Sequence, residues 1–471
     1  MFSKIRQNYT PRAALLQPES GKNPRFCRKI LDAAPFLMYL AGKSKTFFQD
    51  RGDKMSESDG RKIRLSIYIS CYAKTRWFGE LLESLLNSGY HFRDTEILIC
   101  DDASPAGGDG DTARDYAARR PDLFRVIRND VNLGAARSYQ KLAEAARGEY
   151  LMPFDCDDVF VPFDIDANLK WLDQHPTVCA TYGKKLLFDR ENGYHRSSHG
   201  GDYSAFATLL DPRVTHIGMI IRASDFRETW GYLLPEGEPC RAAIDVCLWA
   251  GLALRKIMFF TGEVRALYRV HNRQLSQAAR QGYPEEYERI RQAVEAKFPD
   301  LAKPLNERKA FRIPETQRLP ALVVLGSAFF HAGEDLERKL TLLKIAETIL
   351  PADYAVQEYR LKILMEQKRY QEGLAECVKM MALHAPQFYI ASVALSFACD
   401  ICHVTGIDGR FFEDLRRQRI EQMFRLTPAQ QKLLDETVER ARRLDREQEE
   451  TGDAWQSADT VEQTANNLTS W

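Results

Sequence analysis

From Arg64 to Asp158 the chain alternates short apolar runs with amphipathic segments of about ten residues, a rhythm that few folds accommodate. Leu65 to Ser70, Glu96 to Cys100, Phe124 to Arg128 and Tyr150 to Phe154 read as strands. Trp77 to Ser88, Asp111 to Arg119 and Ala135 to Ala146 read as the helices between them. Such βαβ units imply a mainly parallel, Rossmann-like sheet, and right-handed crossovers bring the C-terminal ends of its strands to one edge. Pro153 removes a ladder donor from the fourth strand, which predicts an edge or a bulge there.

That fourth strand runs directly into carboxylates, in GEYLMPFDCDD, at Asp155, Asp157 and Asp158. Taken alone, the cluster is as compatible with a solvated acidic turn as with a site. At the C-terminal edge of an open α/β sheet, where ligands bind, its dense oxygen donors suit a hard divalent ion, Mg²⁺ or Mn²⁺. The first strand ends in Ser70, Cys71 and Tyr72, offering a hydroxyl and a ring on which a base can stack. The second ends in Asp101 and Asp102, able to accept from a base or ribose edge, or to cap a turn. Asn132, Gly134 and Arg137 stand at the entry to the third helix, where Arg137 can reach a phosphate. Further on, Asp245 opens the amphipathic stretch AIDVCLWAGLALRKIMFF, and His271 follows in ALYRVHNRQLS. A separate carboxylate and imidazole have the character of a general base and a further metal ligand, although each alone is also an ordinary structural residue.

Composition narrows the function classes. A chain of 471 residues exceeds what one core usually serves. Lys plus Arg and Asp plus Glu balance at 66 each, which argues against a protein that neutralises nucleic-acid phosphates along a groove. The 10 cysteines are scattered, and the Cys399 and Cys402 pair falls in an apolar helical stretch, so a reducing compartment is expected. With no leader-like segment and no apolar run near the ~20 residues of a membrane span, the expected location is cytoplasmic. Residues 1–63 form a basic extension with a short helix over 25 to 42. The excess of Lys and Arg there suits either a solvated arm or peripheral contact with an anionic membrane face.

Past Pro320 the apolar positions take helical spacing. Pro351 to Pro386 reads as two antiparallel helices joined near Arg369 to Gln371, resembling one tetratricopeptide-like unit. It must stack on helices at 320 to 349 and 387 to 404. Charged helices are expected over 410 to 447, one opened by Thr427 and Pro428, with a disordered tail beyond. The expected organisation is an α/β domain over 64–300, an all-α domain over 315–448 and a tail over 449–471.

In this order the motifs resemble glycosyltransferase family 2, inverting enzymes of the GT-A fold, from about Leu65 to Ser276. LSIYISCYA resembles the family's first strand and base platform, EILICDDAS its nucleoside-binding turn, and ARGEYLMPFDCDD its Asp-x-Asp metal segment. THIGMIIRASDFRETWGYL is similar to the acceptor-side strand, with Gly218 and Arg222. AIDVCLW resembles the segment carrying the base, and YRVHNRQLS the closing Tyr-Arg-x-His segment.

The resemblance implies a metal-dependent transferase of the hexosyl type that moves sugar from a nucleoside-diphosphate donor, a UDP-sugar in the first instance, to a hydroxyl acceptor. Ser70, Tyr72, Asp102, Arg137 and Asp155 would hold the donor, Asp157, Asp155 and His271 the Mg²⁺ or Mn²⁺, and Asp245 would be the base; Asp158 reads as a cap. Ala73 and Ile244 depart from the family's usual Asn and Glu, and Ile244 removes a carboxylate near the acceptor. The family points to glycan or lipid-linked glycan acceptors in surface polysaccharide or lipopolysaccharide synthesis. Glycosylation of a protein such as flagellin is the alternative. A nucleotide-binding scaffold that docks a partner, or self-associates, through its helical half is another. A nucleotidyltransferase ranks lower, because SCYAKTRW offers Lys74 but no glycine loop.

Overall fold

The computed structural model describes residues 62–106, 108–189, 193–271, 283–299, 313, 315–351, 353–383, 388–406, 409–417 apart from 411 and 415, and four positions between 432 and 439. All belong to one compact unit, Glu57–Trp471. The basic extension, its expected helix, Thr427 and Pro428, and the tail lie outside the described residues.

The first half follows the expected alternation: β1 (Leu65–Cys71), α1 (Thr75–Leu86), β2 (Thr95–Asp101), α2 (Asp109–Arg119), β3 (Phe124–Arg128), α3 (Ala135–Ala145) and β4 (Tyr150–Asp155). There follow β5 (Val159–Phe160), α4 (Ile165–Gln174), β6 (Val178–Asp189), β7 (Gly193–His199), a 3₁₀ turn over Phe206–Leu209, β8 (Ile220–Arg222) and α5 (Ala223–Arg227). Then come α6 (Ile244–Ala253), β9 (Ile257–Arg269), α7 (Tyr283–Lys297) and a helical run: α8 (Arg318–His331), α9 (Leu336–Ile349), α10 (Tyr354–Glu366), α11 (Tyr370–Leu383) and α12 (Phe388–Thr405). Among the described residues no helix is long and apolar enough to cross a membrane.

The strands form a mixed sheet of order β3-β2-β1-β4-β8-β6-β9-β5, with β7 paired to β6. β3, β2, β1 and β4 are mutually parallel, β8 is antiparallel to β4 and β6, and β6 and β9 run parallel again. β4 therefore lies inside the sheet rather than at an edge. It tolerates Pro153 because β8 pairs only with Tyr150 and Leu151, so the missing N–H falls beyond that short ladder.

Side chains of period two divide between the sheet faces. Leu65, Ile67, Ile69, Ile97 and Ile99 pack under α1 and α4 in one cluster, while Tyr68, Leu98 and Cys100 face the other. This second cluster continues through α6 and Phe206 into Leu322, Leu325, Phe329, Leu343 and Leu361 of the helical run. α6 is buried on every side except at Asp245, so the stretch read as one amphipathic segment is a core helix ending at Ala253, and Ile257–Phe260 begins β9. The helical run docks on the 3₁₀ turn. A Cβ at Gly326 of α8 would stand 2.0 Å from the Phe206 carbonyl oxygen. Ser204 donates to the Asp353 carboxylate at the start of α10 at 2.7 Å, and Arg213 meets Glu358 at 2.9 Å. The described cysteines, Cys399 and Cys402 of α12 included, are buried free thiols.

Candidate active site

The C-terminal ends of β1 and β4 lie side by side, with Ser70 opposite Asp155. The turn after β4 carries Asp157 and Asp158 toward the end of β9, where Arg269 ties the two segments together. The Arg269 N–H donates to Asp158 Oδ1 at 2.8 Å, its Nε to the Asp157 carbonyl at 3.1 Å, and its guanidinium pairs with buried Glu80 of α1. Asp158 is thus a strut to β9 rather than a helix cap. Its Oδ2 is buried without a hydrogen-bond partner, and burial beside Asp157 and Asp155 pushes the carboxyl well above its usual range.

Asp157 meets two cationic or basic groups on one oxygen: Lys74 Nζ at 3.0 Å and His271 Nε2 at 3.0 Å. Burial opposes its charge, yet the His271 hydrogen bond and the Lys74 ammonium outweigh this and hold the carboxyl well below its normal range. His271 is almost fully buried and its ring stacks on Trp77 of α1, with centroids 4.0 Å apart. Burial lowers its pKa, which favours the neutral ring. Lys74 is aimed by its own backbone, because its N–H donates to both Asp109 oxygens at 3.1 and 2.9 Å, after Ala73 turns the chain at φ 53. Asp157 and His271 thus come together as expected. Lys74, Trp77, Asp109 and Arg269 complete the arrangement, and for Trp77 the amphipathic period of α1 masked the role.

The other expected residues take separate positions. Tyr72 is 45% exposed just past the end of β1. Asp102 is buried, and its two oxygens accept from Asn129 Nδ2 at 2.7 Å, Leu133 N at 2.8 Å and Gly134 N at 2.8 Å. It moulds the loop before α3, where Gly134 needs its φ of 82. Arg137 is exposed in the first turn of α3. Asp155 accepts from the Tyr139 hydroxyl at 2.6 Å, with His216 Nδ1 3.7 Å from the same oxygen. Asp245, in the first turn of α6, accepts from Val246 N at 2.9 Å. Burial raises its pKa, while His216 and Lys185 pull the other way.

Among the described residues no three His, Cys, Asp or Glu side chains converge as a ready-made metal cage. Asp157 and His271 are a pair. Their chemistry fits a hard divalent ion: an ionised carboxylate, a neutral imidazole nitrogen and, beside them, an unsatisfied carboxyl oxygen on Asp158.

Residues 66–227 match the family model described as glycosyl transferase family 2, a span that includes Ser70 through Asp157 and stops short of Asp245 and His271. An uncharacterized protein of Mycobacterium tuberculosis is 36% identical over 121 residues, 24% of this chain and 34% of its own. The putative glycosyltransferase EpsE of Bacillus subtilis is 29% identical over 126 residues, 27% of this chain and 44% of its own. The chain therefore spans between a third and a half of the length of these curated relatives. A solved structure of Staphylococcus aureus TarS residues 1-349 with UDP-GlcNAc is 15% identical, covering 69% of this chain and 93% of that one at a TM-score of 0.42.

Proposed function

Because this chain carries a glycosyl transferase family 2 domain over residues 66–227, we propose that it transfers a sugar, with inversion, from a nucleoside-diphosphate donor to a hydroxyl acceptor. The observation that supports this is the pairing of Asp157 with His271 at one end of the sheet, next to Lys74, with the half-buried carboxyl of Asp245 at the start of α6.

In this reading Tyr72 stacks on the base, for which uracil is the first choice, and Ser70 lies beside the ribose. Asp102 shapes the loop from which Arg137 and the start of α3 face the diphosphate. Asp157 and His271, with Asp155, would hold Mg²⁺ or Mn²⁺, which when bound supplies positive charge to the departing diphosphate. Lys74, anchored by Asp109, adds a fixed cation on the same side. Asp245 takes the proton of the acceptor hydroxyl as it attacks the anomeric carbon from the opposite face. Its raised pKa makes it a stronger base than a solvated aspartate. We read the acceptor as a glycan or lipid-linked glycan of surface polysaccharide. The tetratricopeptide-like helices share a core with the sheet, and that favours a brace over an arm for a protein substrate.

The test is metal-dependent hydrolysis of UDP-, GDP-, dTDP- and CMP-sugars by wild type, Asp157→Ala and Asp245→Asn. Turnover of one donor by wild type, abolished in both variants and by chelation, is expected. Full activity of either variant, or turnover in chelator, defeats the assignment.

A further inference from the structure

α6, the helix that opens on Asp245, begins at Ala243, whose methyl side chain caps nothing, and its first bond back is from Cys247 N to the Ala243 carbonyl at 3.0 Å. N–H groups ahead of that bond need acceptors from elsewhere. Asp245 supplies one, since its Oδ1 takes Val246 N at 2.9 Å. α7 supplies the rest through Glu286, 43 residues on from Ala243. Its Oε1 accepts from Arg241 N at 2.5 Å, and its Oε2 from Ala242 N and Ala243 N, each at 2.8 Å. Glu286 is buried, and an anion suits this place because the start of a helix carries partial positive charge.

α7 is in turn anchored away from α6. Arg291 Nη2 donates to the Leu209 carbonyl of the 3₁₀ turn at 2.9 Å, and Ser327 Oγ of α8 donates to Glu295 Oε1 at 2.5 Å. Ile290 and Val294 are fully buried in the cluster that α6 and α8 share. Lys297 stands over the Trp230 ring, 4.6 Å from its centroid, and Trp230 Nε1 donates to the Cys247 carbonyl at 2.7 Å. Apolar packing fixes the body of α6, where every residue but Asp245 is buried. The backbone that leads into Asp245 is fixed instead by one carboxylate from another helix.

We propose that Glu286 is a positioning residue: by holding the N–H groups of residues 241–243 from α7 it sets the first turn of α6, and with it the direction of the Asp245 carboxyl. The proposal rests on the reading of Asp245 as the base.

Full-length wild type, Glu286→Gln, Glu286→Ala and Ser327→Ala are compared for hydrolysis of whichever of UDP-glucose, GDP-mannose, dTDP-glucose or CMP-sialic acid wild type turns over fastest, with melting curves to follow folding. Glu286→Ala leaves three N–H groups without their acceptor and should lower kcat about 100-fold, the scale on which a misplaced catalytic group is felt, with donor KM unchanged. Glu286→Gln keeps an oxygen for Ala242 and Ala243 but turns its amide nitrogen on Arg241 N–H, so it should lose about tenfold, the worth of one hydrogen bond. Ser327→Ala loosens the same helix away from the turn, and should melt lower with kcat unchanged. A folded Glu286→Ala with full kcat, a loss confined to KM, or a Ser327→Ala that loses kcat as Glu286→Ala does overturns the proposal. If Glu286→Ala does not fold, full kcat in Glu286→Gln overturns it. Amide exchange reads the turn without turnover: the Val246 N–H that Asp245 holds should exchange at least about tenfold faster in the Glu286 variants while β1 stays protected, and unchanged exchange at Val246 refutes the proposal. Failure of the functional reading is recognised separately, by wild type that hydrolyses no donor or by an active Asp245→Asn, and in either case the exchange result still stands.

Discussion

Replacing Gly326 with alanine sets two effects of known size against each other. Gly326 lies inside α8, where alanine is favoured over glycine by about 1 kcal/mol. The new Cβ, however, would stand 2.0 Å from the Phe206 carbonyl oxygen and 3.1 Å from its carbon, and ordinary contact is near 3.4 Å. Helix and turn must part by roughly 1.4 Å, the difference of those distances. Neither side yields easily, because the obstructing atom is backbone and Phe206 is wedged between Phe329 and Tyr359, centroids 5.6 and 6.1 Å away. Overpacking of this kind costs about 1 to 3 kcal/mol, and the rigid contact places it at the upper end, so a net loss of about 2 kcal/mol is expected. Denaturant midpoints followed by tryptophan fluorescence measure it, with Gly79→Ala as control. Gly79 sits in α1 with nothing within 4 Å of its Cβ position, so that variant should gain up to about 1 kcal/mol. A Gly326→Ala protein stabilised as much as the control would refute the seating of α8 on the turn.

Three other outcomes are expected. Burial raises Asp353 from 3.8 to about 6 despite its bond from Ser204. The acid is therefore favoured in the fold, and its stability is complete below the unfolded value and lost as pH rises through about 6. The shift corresponds to roughly 3 kcal/mol at 1.36 kcal/mol per unit. The melting temperature of wild type relative to Asp353→Asn should fall between pH 4.5 and 7, and a flat difference would contradict this. Arg265→Met leaves the Gly218 carbonyl, the Thr181 carbonyl and Asn168 Oδ1 without the buried donors that reach them at 2.8, 3.2 and 2.7 Å. A destabilisation of about 3 kcal/mol or more is expected by calorimetry, and a loss under ~1 kcal/mol speaks against it. Asp102→Ala removes the acceptor for Leu133 and Gly134 N–H, so amide exchange there should quicken by at least about tenfold while β1 stays protected; unchanged exchange defeats the loop-moulding role.

β1 to β4 were legible in the sequence to within two residues: β1, β2 and β4 are apolar runs buried on both faces, and β3 is a short, half-buried edge run set off from the helices on either side. The second half of the sheet was not. β6 carries Gly183 and two lysines in its middle, and β9 carries Gly262 at φ 75, features that in a sequence mark turns. Both are tolerated because the β6 to β9 ladder shifts register where the glycines lie. At the site, the motifs singled out Asp157 and His271, which the fold brings within 3.0 Å of each other. The burial that sets their charge was not legible, since it comes from Trp77, Glu80 and Arg269, whose spacing says only amphipathic helix and strand. Nor did anything in THIGM separate His216 from a core histidine, as its contact with the Tyr232 hydroxyl exists only in the fold.

The pairing of β6 with β9 also bears on how the chain is born. β3, β2, β1 and β4 are complete once residue 155 has been synthesised, but the β6 edge, finished at Asp189, waits for roughly eighty further residues until β9 ends at Arg269. At about 5 to 20 residues per second, that edge stands open on the ribosome for several seconds. An open strand of this length invites pairing with a neighbouring nascent chain. β7 pairs with Lys185 to Asp189 on the opposite edge of β6, so what breaks the open edge is Lys184 and Lys185, which interrupt its apolar run. The lysines of β6 thus break the apolar run while its edge is open, and replacing Lys184 and Lys185 with valines should lower soluble yield.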